Sequence, residues 1–381
     1  MEPENQPPPT STPAANHTET ALTPSPAESE DESYRGLRWI FIGPQGLRAG
    51  WSVLIFVILT IFFMAAIGIV VTLLIHKVLH VNTGELTPAT ALIQGLIELP
   101  ALLGAGVVMA LIERRRILDY NLSGPQRPQH FLFGLAAGFA ALSALVGALI
   151  CGGWLHFGPV ALSGTKIFTF AALWGVAFLL TAFFEEGSFR CYLQFTFTRG
   201  INFWWALGIV AVTCAYLAIS VGGNASRGVY AAALLGVVPC FILHQKAAPC
   251  SGGFWCAAWV TSTLFGFIHV GNPNEAWIGI FAAAFFGFIL CVSLRVTGSA
   301  WWAIGCHAGW DWGETYFYGT ADSGLSPQGS YLTSSPAGNP LWSGGAVGPE
   351  GSLLVLAALL LILALALVYG RWSARVTPAT A

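Results

Sequence analysis

The chain is a succession of long apolar runs, and this pattern constrains its fold more than any other feature. A helix needs about 20 mainly apolar residues to cross the hydrocarbon core of a bilayer. Only 9% of the 381 residues are charged, whereas soluble domains carry about 25%, so charged side chains are too few to cover a water-exposed surface. We therefore predict an all-α fold, a polytopic transmembrane bundle of about eight to ten spanning helices. The predicted segments are 51–76, 88–112, 131–154, 167–184, 203–221, 229–244, 254–269, 277–294, 300–317 and 352–369.

The distribution of lysine and arginine between the apolar runs predicts how the chain crosses the membrane. These residues concentrate in alternate loops, as in Arg114, Arg115 and Arg116, and cytoplasmic loops are the ones enriched in positive charge. We expect a multi-pass integral membrane protein with both termini in the cytosol, which in a bacterium places it in the plasma (inner) membrane. Its partner is then the lipid bilayer, and a net charge of −2 gives no reason to expect nucleic acid.

Composition divides the chain into a membrane domain and flanking tails. Residues 1–34 are rich in Pro, Ser, Thr and Glu and lack the apolar core of a signal peptide, so we predict a disordered cytosolic tail. The transmembrane domain is predicted at 35–372, with a Gly/Ser/Pro-rich outer loop at 319–350. A second cytosolic tail is predicted at 373–381.

The ionisable residues inside the apolar runs are few, and such residues mark functional sites by default because burying charge in lipid is costly. Glu185 and Glu186 end the fourth run. Glu186 and Arg190 lie one helical turn apart and face each other, whereas Glu185 points about 100° away. We predict that Arg190 neutralises Glu186 and leaves Glu185 free as a general base. The alternative is a pair of interfacial anions beside an arginine at a helix end.

Two further segments carry histidines in apolar surroundings. Phe265 and His269 share one face of a predicted helix. His307 and Asp311 lie one turn apart on the same face of a second predicted helix. Alone, His269 is more typical of an interfacial residue than of a catalytic one. A His307–Asp311 pair fits a structural contact between helices as well as it fits an electrophile or a pair of metal ligands.

Taken in order, these motifs resemble those of the CPBP family, which includes the CAAX prenyl proteases and related abortive-infection proteins. The family's motifs are Glu-Glu-x-x-x-Arg, Phe-x-x-x-His and His-x-x-x-Asn/Asp on successive hydrophobic segments. Here they correspond to residues 185–190, 265–269 (followed by Asn272) and 307–311. Each motif is weak alone, whereas the ordered trio is specific, and the resemblance covers about 131–312.

The resemblance implies an intramembrane endopeptidase with its catalytic cavity within the membrane. By analogy, Glu185 and His269 activate a water molecule, and His307 and Asp311 bind the oxyanion of the tetrahedral intermediate. Glu186 belongs to the same site, and the supporting residues are Arg190, Phe265 and Asn272. The implied substrate is a membrane-associated peptide or the C-terminal segment of a protein, and the resemblance does not determine whether it is prenylated.

Asp311 stands where the prenyl proteases commonly have Asn, and its role has three readings. A protonated Asp311 donates to the oxyanion, or an ionised one orients His307. In the third, Glu185, His269, His307 and Asp311 bind zinc. We favour a metal-free glutamate mechanism, because no pair among these four residues has the His-x-x-x-His spacing of helical zinc sites.

The segment between the first two motifs is unusually long and predicts an inserted pair of helices at 203–246. Two alternatives to a protease remain open at this stage. One is a non-catalytic scaffold or immunity protein that keeps the fold. The other is a proton-coupled transporter in which Glu98, Glu185 and Asp311 relay protons.

Overall fold

In the computed structural model, the residues described are 38–43, 46–78, 86–220, 235–236, 239 and 252–376. The chain divides into two compact units, Met1–Gly46 and Leu47–Ala381. The described residues of the first unit form a helical turn at 38–41, followed by a short strand. The predicted tail at 1–34 lies outside the described residues, as do 377–381 of the second tail, whereas 373–376 form the last turn of a helix.

The second unit is predominantly helical, and the runs of Leu, Ile, Val, Phe and Ala form helices because their backbone groups must bond internally in lipid. The helices are α1 (Ala49–Val78), α2 (Pro88–Glu113), α3 (Arg127–Cys151), α4 (Thr165–Glu186), α5 (Gln194–Gly200), α6 (Phe203–Ser220), α7 (Gly252–Ile268), α8 (Trp277–Thr297), α9 (Trp301–Asp311), α10 (Pro340–Ser343) and α11 (Val355–Val376). The short strands are β1 (Ile42–Gly43), β2 (Gly46–Leu47), β3 (Leu155–Phe157) and β4 (Ser334–Pro336).

The predicted polytopic helical bundle is confirmed. Among the described residues, seven helices are long and apolar enough to cross a membrane. An eighth apolar helix, Phe203–Ile219, is shorter than these spans and provides the first half of the predicted insertion. The second half, 229–244, lies almost entirely outside the described residues.

Two helices of the bundle continue as π-helical turns, at Gly187–Leu193 after α4 and at Trp312–Tyr318 after α9. With the first turn and α5, α4 forms one apolar segment over Thr165–Gly200. A π-turn inserts an extra residue per turn and is found frequently at functional sites. Both turns directly follow the polar residues singled out in the sequence.

Helices α3 and α9 pack backbone against backbone along a seam of glycines. A Cβ atom at Gly134 or Gly138 of α3 would clash with the carbonyl oxygen of Trp302 or Cys306, and one at Gly305 of α9 would clash with that of Phe131. Small residues four apart permit this close approach in membrane helices.

The seam fixes the orientation of α9 about its own axis. Gly305 and Gly309 both contact the backbone of α3. At 3.6 residues per turn, His307 and Asp311 lie about 200° further round the helix. The glycine face therefore packs on α3, and the opposite face directs its imidazole and carboxylate towards the rest of the bundle.

The segment between α9 and α11 is ordered rather than a featureless loop. Its strand β4 pairs with β3 in antiparallel register, with Leu155 opposite Pro336 and Phe157 opposite Ser334. The indole of Trp310 on α9 donates to Oε1 of Glu350 at 2.9 Å, so this segment is attached to the end of the helix that carries His307.

Candidate active site

A cavity of about 180 Å³ lies where α4, α7, α8 and α9 meet in the bundle. It is lined by residues from all three sequence motifs, namely Glu185, Phe265, His269, Asn272, His307 and Asp311. These residues come from segments that are far apart in the chain. A polar cavity of this kind inside an apolar bundle supplies the water-accessible space that the lipid around it does not.

A buried ion pair between Arg190 and Glu186 adjoins the site. Nε of Arg190 lies 3.1 Å from Oε2 of Glu186, and the two side chains are 1% and 0% exposed. The guanidinium carbon of Arg190 also lies 4.2 Å from the ring centroid of Phe265, as a cation–π contact. Gly287 of α8 leaves room for this arrangement, since a Cβ there would lie 2.6 Å from Nη2 of Arg190.

His307 is held between carboxylates at both of its ring nitrogens. Nδ1 lies 2.8 Å from Oε1 of Glu186, and an ionised carboxylate only accepts hydrogen bonds, so His307 donates through Nδ1. Nε2 lies 3.5 Å from Oδ2 of Asp311 and 3.8 Å from Oε2 of Glu185. Both distances exceed the 2.7–2.9 Å of a strong charge-assisted hydrogen bond, so Nε2 remains available to a molecule in the cavity.

Glu185 occupies a different environment from its neighbour in the sequence. Its side chain is 22% exposed, and its Oε2 has no hydrogen-bond partner in the described part of the chain. Glu186 is thus paired with Arg190, whereas Glu185 lines the cavity and has Nε2 of His307 at 3.8 Å.

His269 lies in the 3₁₀ turn that follows α7, where its ring packs 4.9 Å from that of Phe265. Its Nδ1 is 2.7 Å from the backbone carbonyl oxygen of Phe265, and a carbonyl accepts only, so Nδ1 carries a hydrogen. Neutral His269 then presents an unprotonated Nε2. Among the described residues no hydrogen bond or ion pair joins His269 to Glu185, and the two share the cavity rather than a direct contact.

The structure also brings together residues that the sequence did not mark. Glu275, Asp322 and Glu350 line the same cavity, and Phe286 packs edge-on against His307 with the ring centroids 5.6 Å apart. Asp322 and Glu350 lie in the segment predicted as an outer loop without periodicity, where no local pattern distinguishes them. Glu98 does not line this cavity, although Gln94, which donates to Oε1 of Glu98 at 2.9 Å, does.

The distances between possible ligand atoms can be compared with the zinc site considered for Glu185, His269, His307 and Asp311. Zinc sites in proteins place their ligands 2.0–2.3 Å from the ion. In the described residues, the group of three ligand atoms within 4.8 Å of one another is formed by Glu314, Asp322 and Glu350. Within the described residues, the predicted set Glu185, His269, His307 and Asp311 does not form such a group.

Residues 240–313 match the family model described as "Type II CAAX prenyl endopeptidase Rce1-like". The match contains the motifs around His269 and His307 and begins after the glutamate pair. Comparisons with curated proteins and with solved structures give no match. The family match contains two of the three ordered motifs and supports the assignment of the chain to the CPBP family of membrane proteases, which includes the CAAX proteases.

Proposed function

We propose that this integral membrane protein is an intramembrane endopeptidase of the CAAX type that uses a glutamate-activated water. The observation that carries the proposal is the convergence of Glu185, His269 and His307 on one cavity inside the helical bundle. Amide hydrolysis needs an oriented water, a base and a donor for the developing oxyanion, and these three side chains provide each of those groups.

In the proposed reaction, Glu185 is the general base. Its carboxylate lines the cavity and accepts a proton from a water molecule there, and the unprotonated Nε2 of His269 orients the same water. The water oxygen attacks the carbonyl carbon of the scissile peptide bond. Glu185 then returns the proton to the amide nitrogen as the C–N bond breaks, which yields a carboxylate and an amine.

His307 is the proposed oxyanion donor. In its imidazolium form, Nε2 donates to the carbonyl oxygen as negative charge develops there, while Nδ1 stays bonded to Glu186. Asp311, 3.5 Å from Nε2, keeps the ring oriented. This geometry favours an orienting role for Asp311 over the donating role, because a fixed imidazole already supplies a donor at the cavity.

The proposed substrate is a membrane-associated peptide or the C-terminal segment of a protein. The test is cleavage by the purified full chain, in phospholipid nanodiscs, of a library of lipidated and unlipidated peptides. Glu185→Gln removes the base with little change in shape and should lower the rate about 10²- to 10⁴-fold, the usual contribution of a general base. His269→Asn should also lower it.

The matched control is Glu98→Gln, which removes another intramembrane carboxylate but retains an amide that bonds to Gln94. Its rate should stay close to that of the unchanged protein. Cleavage by Glu185→Gln at the unchanged rate would contradict the proposed base. If no peptide of the library is cleaved while Glu185→Gln leaves the protein's cellular function intact, the scaffold alternative is supported instead.

A further inference from the structure

Three carboxylates outside the proposed catalytic set form a second cluster. Glu314 lies in the π-turn after α9, whereas Asp322 and Glu350 come from the two ends of the segment between α9 and α11. One ligand atom of each residue lies within 4.8 Å of the other two. Two like charges at this separation already repel each other, so a cluster of three needs a positive partner or bound protons.

Glu314 supplies an observation that is independent of this clustering. Its side chain is 0% exposed, and neither Oε1 nor Oε2 has a hydrogen-bond partner in the described part of the chain. Buried carboxylates in proteins are normally hydrogen-bonded, paired or bound to a metal. One of these oxygens lies within 4.8 Å of a carboxylate oxygen of Asp322 and of Glu350, so the buried Glu314 side chain points at the cluster and has no partner for its charge there.

In the described residues, no cationic side chain pairs with the cluster. Among the residues that the structure describes, no lysine, arginine or histidine lies within 4.0 Å of the Glu314, Asp322 or Glu350 carboxylates as an ion pair. The other two carboxylates are held by neutral donors. Thr315 donates to Oδ2 of Asp322 at 2.8 Å, and Ser323 donates to Oε2 of Glu350 at 2.7 Å.

We propose that Glu314, Asp322 and Glu350 bind a hard divalent cation, of which Ca²⁺ fits best, between the π-turn after α9 and the segment that follows it. Oxygen-only ligands favour Ca²⁺, Mg²⁺ or Mn²⁺ over Zn²⁺. A Ca²⁺ ion about 2.4 Å from each oxygen spans ligand separations of up to about 4.8 Å. Octahedral Mg²⁺, with ligands at 2.0–2.1 Å, accepts only a narrower range of separations, so Ca²⁺ is the more tolerant ion for such a cluster.

The position of the cluster gives the ion a structural consequence for the cavity. Asp322 and Glu350 line the same cavity as Glu185 and His307, and Trp310, three residues after His307, already donates to Glu350. An ion at the cluster would connect both ends of the segment between α9 and α11 to the helix that carries His307. It would also reduce the negative charge beside Asp311.

The test uses the full chain in nanodiscs of neutral phosphatidylcholine, which binds divalent cations weakly, after removal of metals with a chelator. Tb³⁺ is the first probe, because the indole of Trp310 lies against the cluster and can sensitise its luminescence. We expect one saturable Tb³⁺ site per chain, displaced by Ca²⁺. In the absence of Tb³⁺, Ca²⁺ alone should raise Tm, because an ion that binds only the folded state stabilises it.

Two variants separate ion binding from folding. Asp322→Asn removes one charge but keeps an oxygen for the Thr315 hydroxyl, and Glu314→Gln removes the buried charge. Each should weaken Ca²⁺ about tenfold or more, since ligand charge sets the affinity of such sites. The control Glu275→Gln, a carboxylate that lines the same cavity but contributes no ligand to the cluster, should bind Ca²⁺ with an affinity close to that of the unchanged protein.

Three results would overturn the proposal. In the first, the unchanged protein shows no saturable binding. In the second, Asp322→Asn binds Ca²⁺ as tightly as the unchanged protein does. In the third, the protein prefers Zn²⁺, and His269→Asn abolishes that preference. The last would locate the metal at the histidines. The first two can be scored even if Glu314→Gln fails to fold, because they rest on the unchanged protein and on Asp322→Asn.

Discussion

The buried Arg190–Glu186 pair permits a quantitative prediction about what holds the site together. With the charge centres about 4 Å apart, an effective dielectric constant of about 20 gives an attraction of about 4 kcal/mol. Arg190→Met removes this attraction and leaves the Glu186 carboxylate, 0% exposed, with His307 as its remaining polar partner. We expect the free energy of unfolding to fall by about 3–5 kcal/mol, the usual cost of leaving one buried partner unpaired.

The double variant Glu186→Gln/Arg190→Met tests the reasoning more stringently than either single change. With both charges removed, neither member of the pair is left buried without the other, so the double variant should be more stable than the sum of the single losses implies. A coupling energy of about 3 kcal/mol is expected, the upper end for residues in one network. The assay is reversible unfolding in mixed micelles at increasing SDS, followed by tryptophan fluorescence.

Arg115→Met is the matched control for this cycle. Arg115 forms an ion pair with Glu113 at 3.9 Å, but its side chain is 31% exposed, and exposed pairs contribute about 1 kcal/mol or less. A coupling energy near zero between Glu186 and Arg190, or an equal loss in Arg115→Met and Arg190→Met, would refute the claim that this pair is a strong buried interaction.

Three further predictions concern packing, pH and metal. Gly305→Ala forces a Cβ against the Phe131 carbonyl and should lower the free energy of unfolding by about 1–3 kcal/mol in the same assay, as overpacking does. The control is Gly147→Ala, whose Cβ meets nothing within 4 Å. It should be neutral or stabilise the fold by up to about 1 kcal/mol through helix propensity. Burial raises the pKa of the Glu275 carboxyl to about 7, against an opposing hydrogen bond from the Ala276 amide. Between these pH values the folded state keeps a proton that the unfolded chain has lost, so the free energy of unfolding should fall as the pH rises from about 4.5 to about 7. Glu275→Gln should flatten that part of the plot of stability against pH, and an unchanged slope would contradict this assignment. Peptide cleavage should survive 1,10-phenanthroline, a chelator of transition metals, and loss of cleavage that Zn²⁺ restores would show that the metal-free mechanism is wrong.

The sequence predicted the features that depend on local spacing or on hydropathy. Apolar runs of about 20 residues became helices because lipid leaves the backbone no other way to satisfy its hydrogen bonds. The contacts between Glu186 and Arg190 and between His307 and Asp311 follow from residues one turn apart on a helix. These contacts form largely regardless of how the helices pack.

Features that depend on packing between distant segments were not predictable from one sequence. The bond between His307 and Glu186 joins residues 121 positions apart, and it exists because the glycines of α3 and α9 set the rotation of α9. The π-turns depend on the register of backbone hydrogen bonds rather than on residue type. Glu350 reaches the cavity from a segment rich in Gly, Ser and Pro, in which composition alone indicated only a loop.

The most direct test of the central claim is the origin of the oxygen in the product. Full-length protein and a cleaved peptide from the library are incubated in H₂¹⁸O, and the new C-terminus is examined by mass spectrometry after a single turnover. If Glu185 activates a water that attacks the peptide carbonyl, the product carries one ¹⁸O atom, and Glu185→Gln yields almost none of this product over the same time. Labelled product formed equally fast by Glu185→Gln would contradict the account.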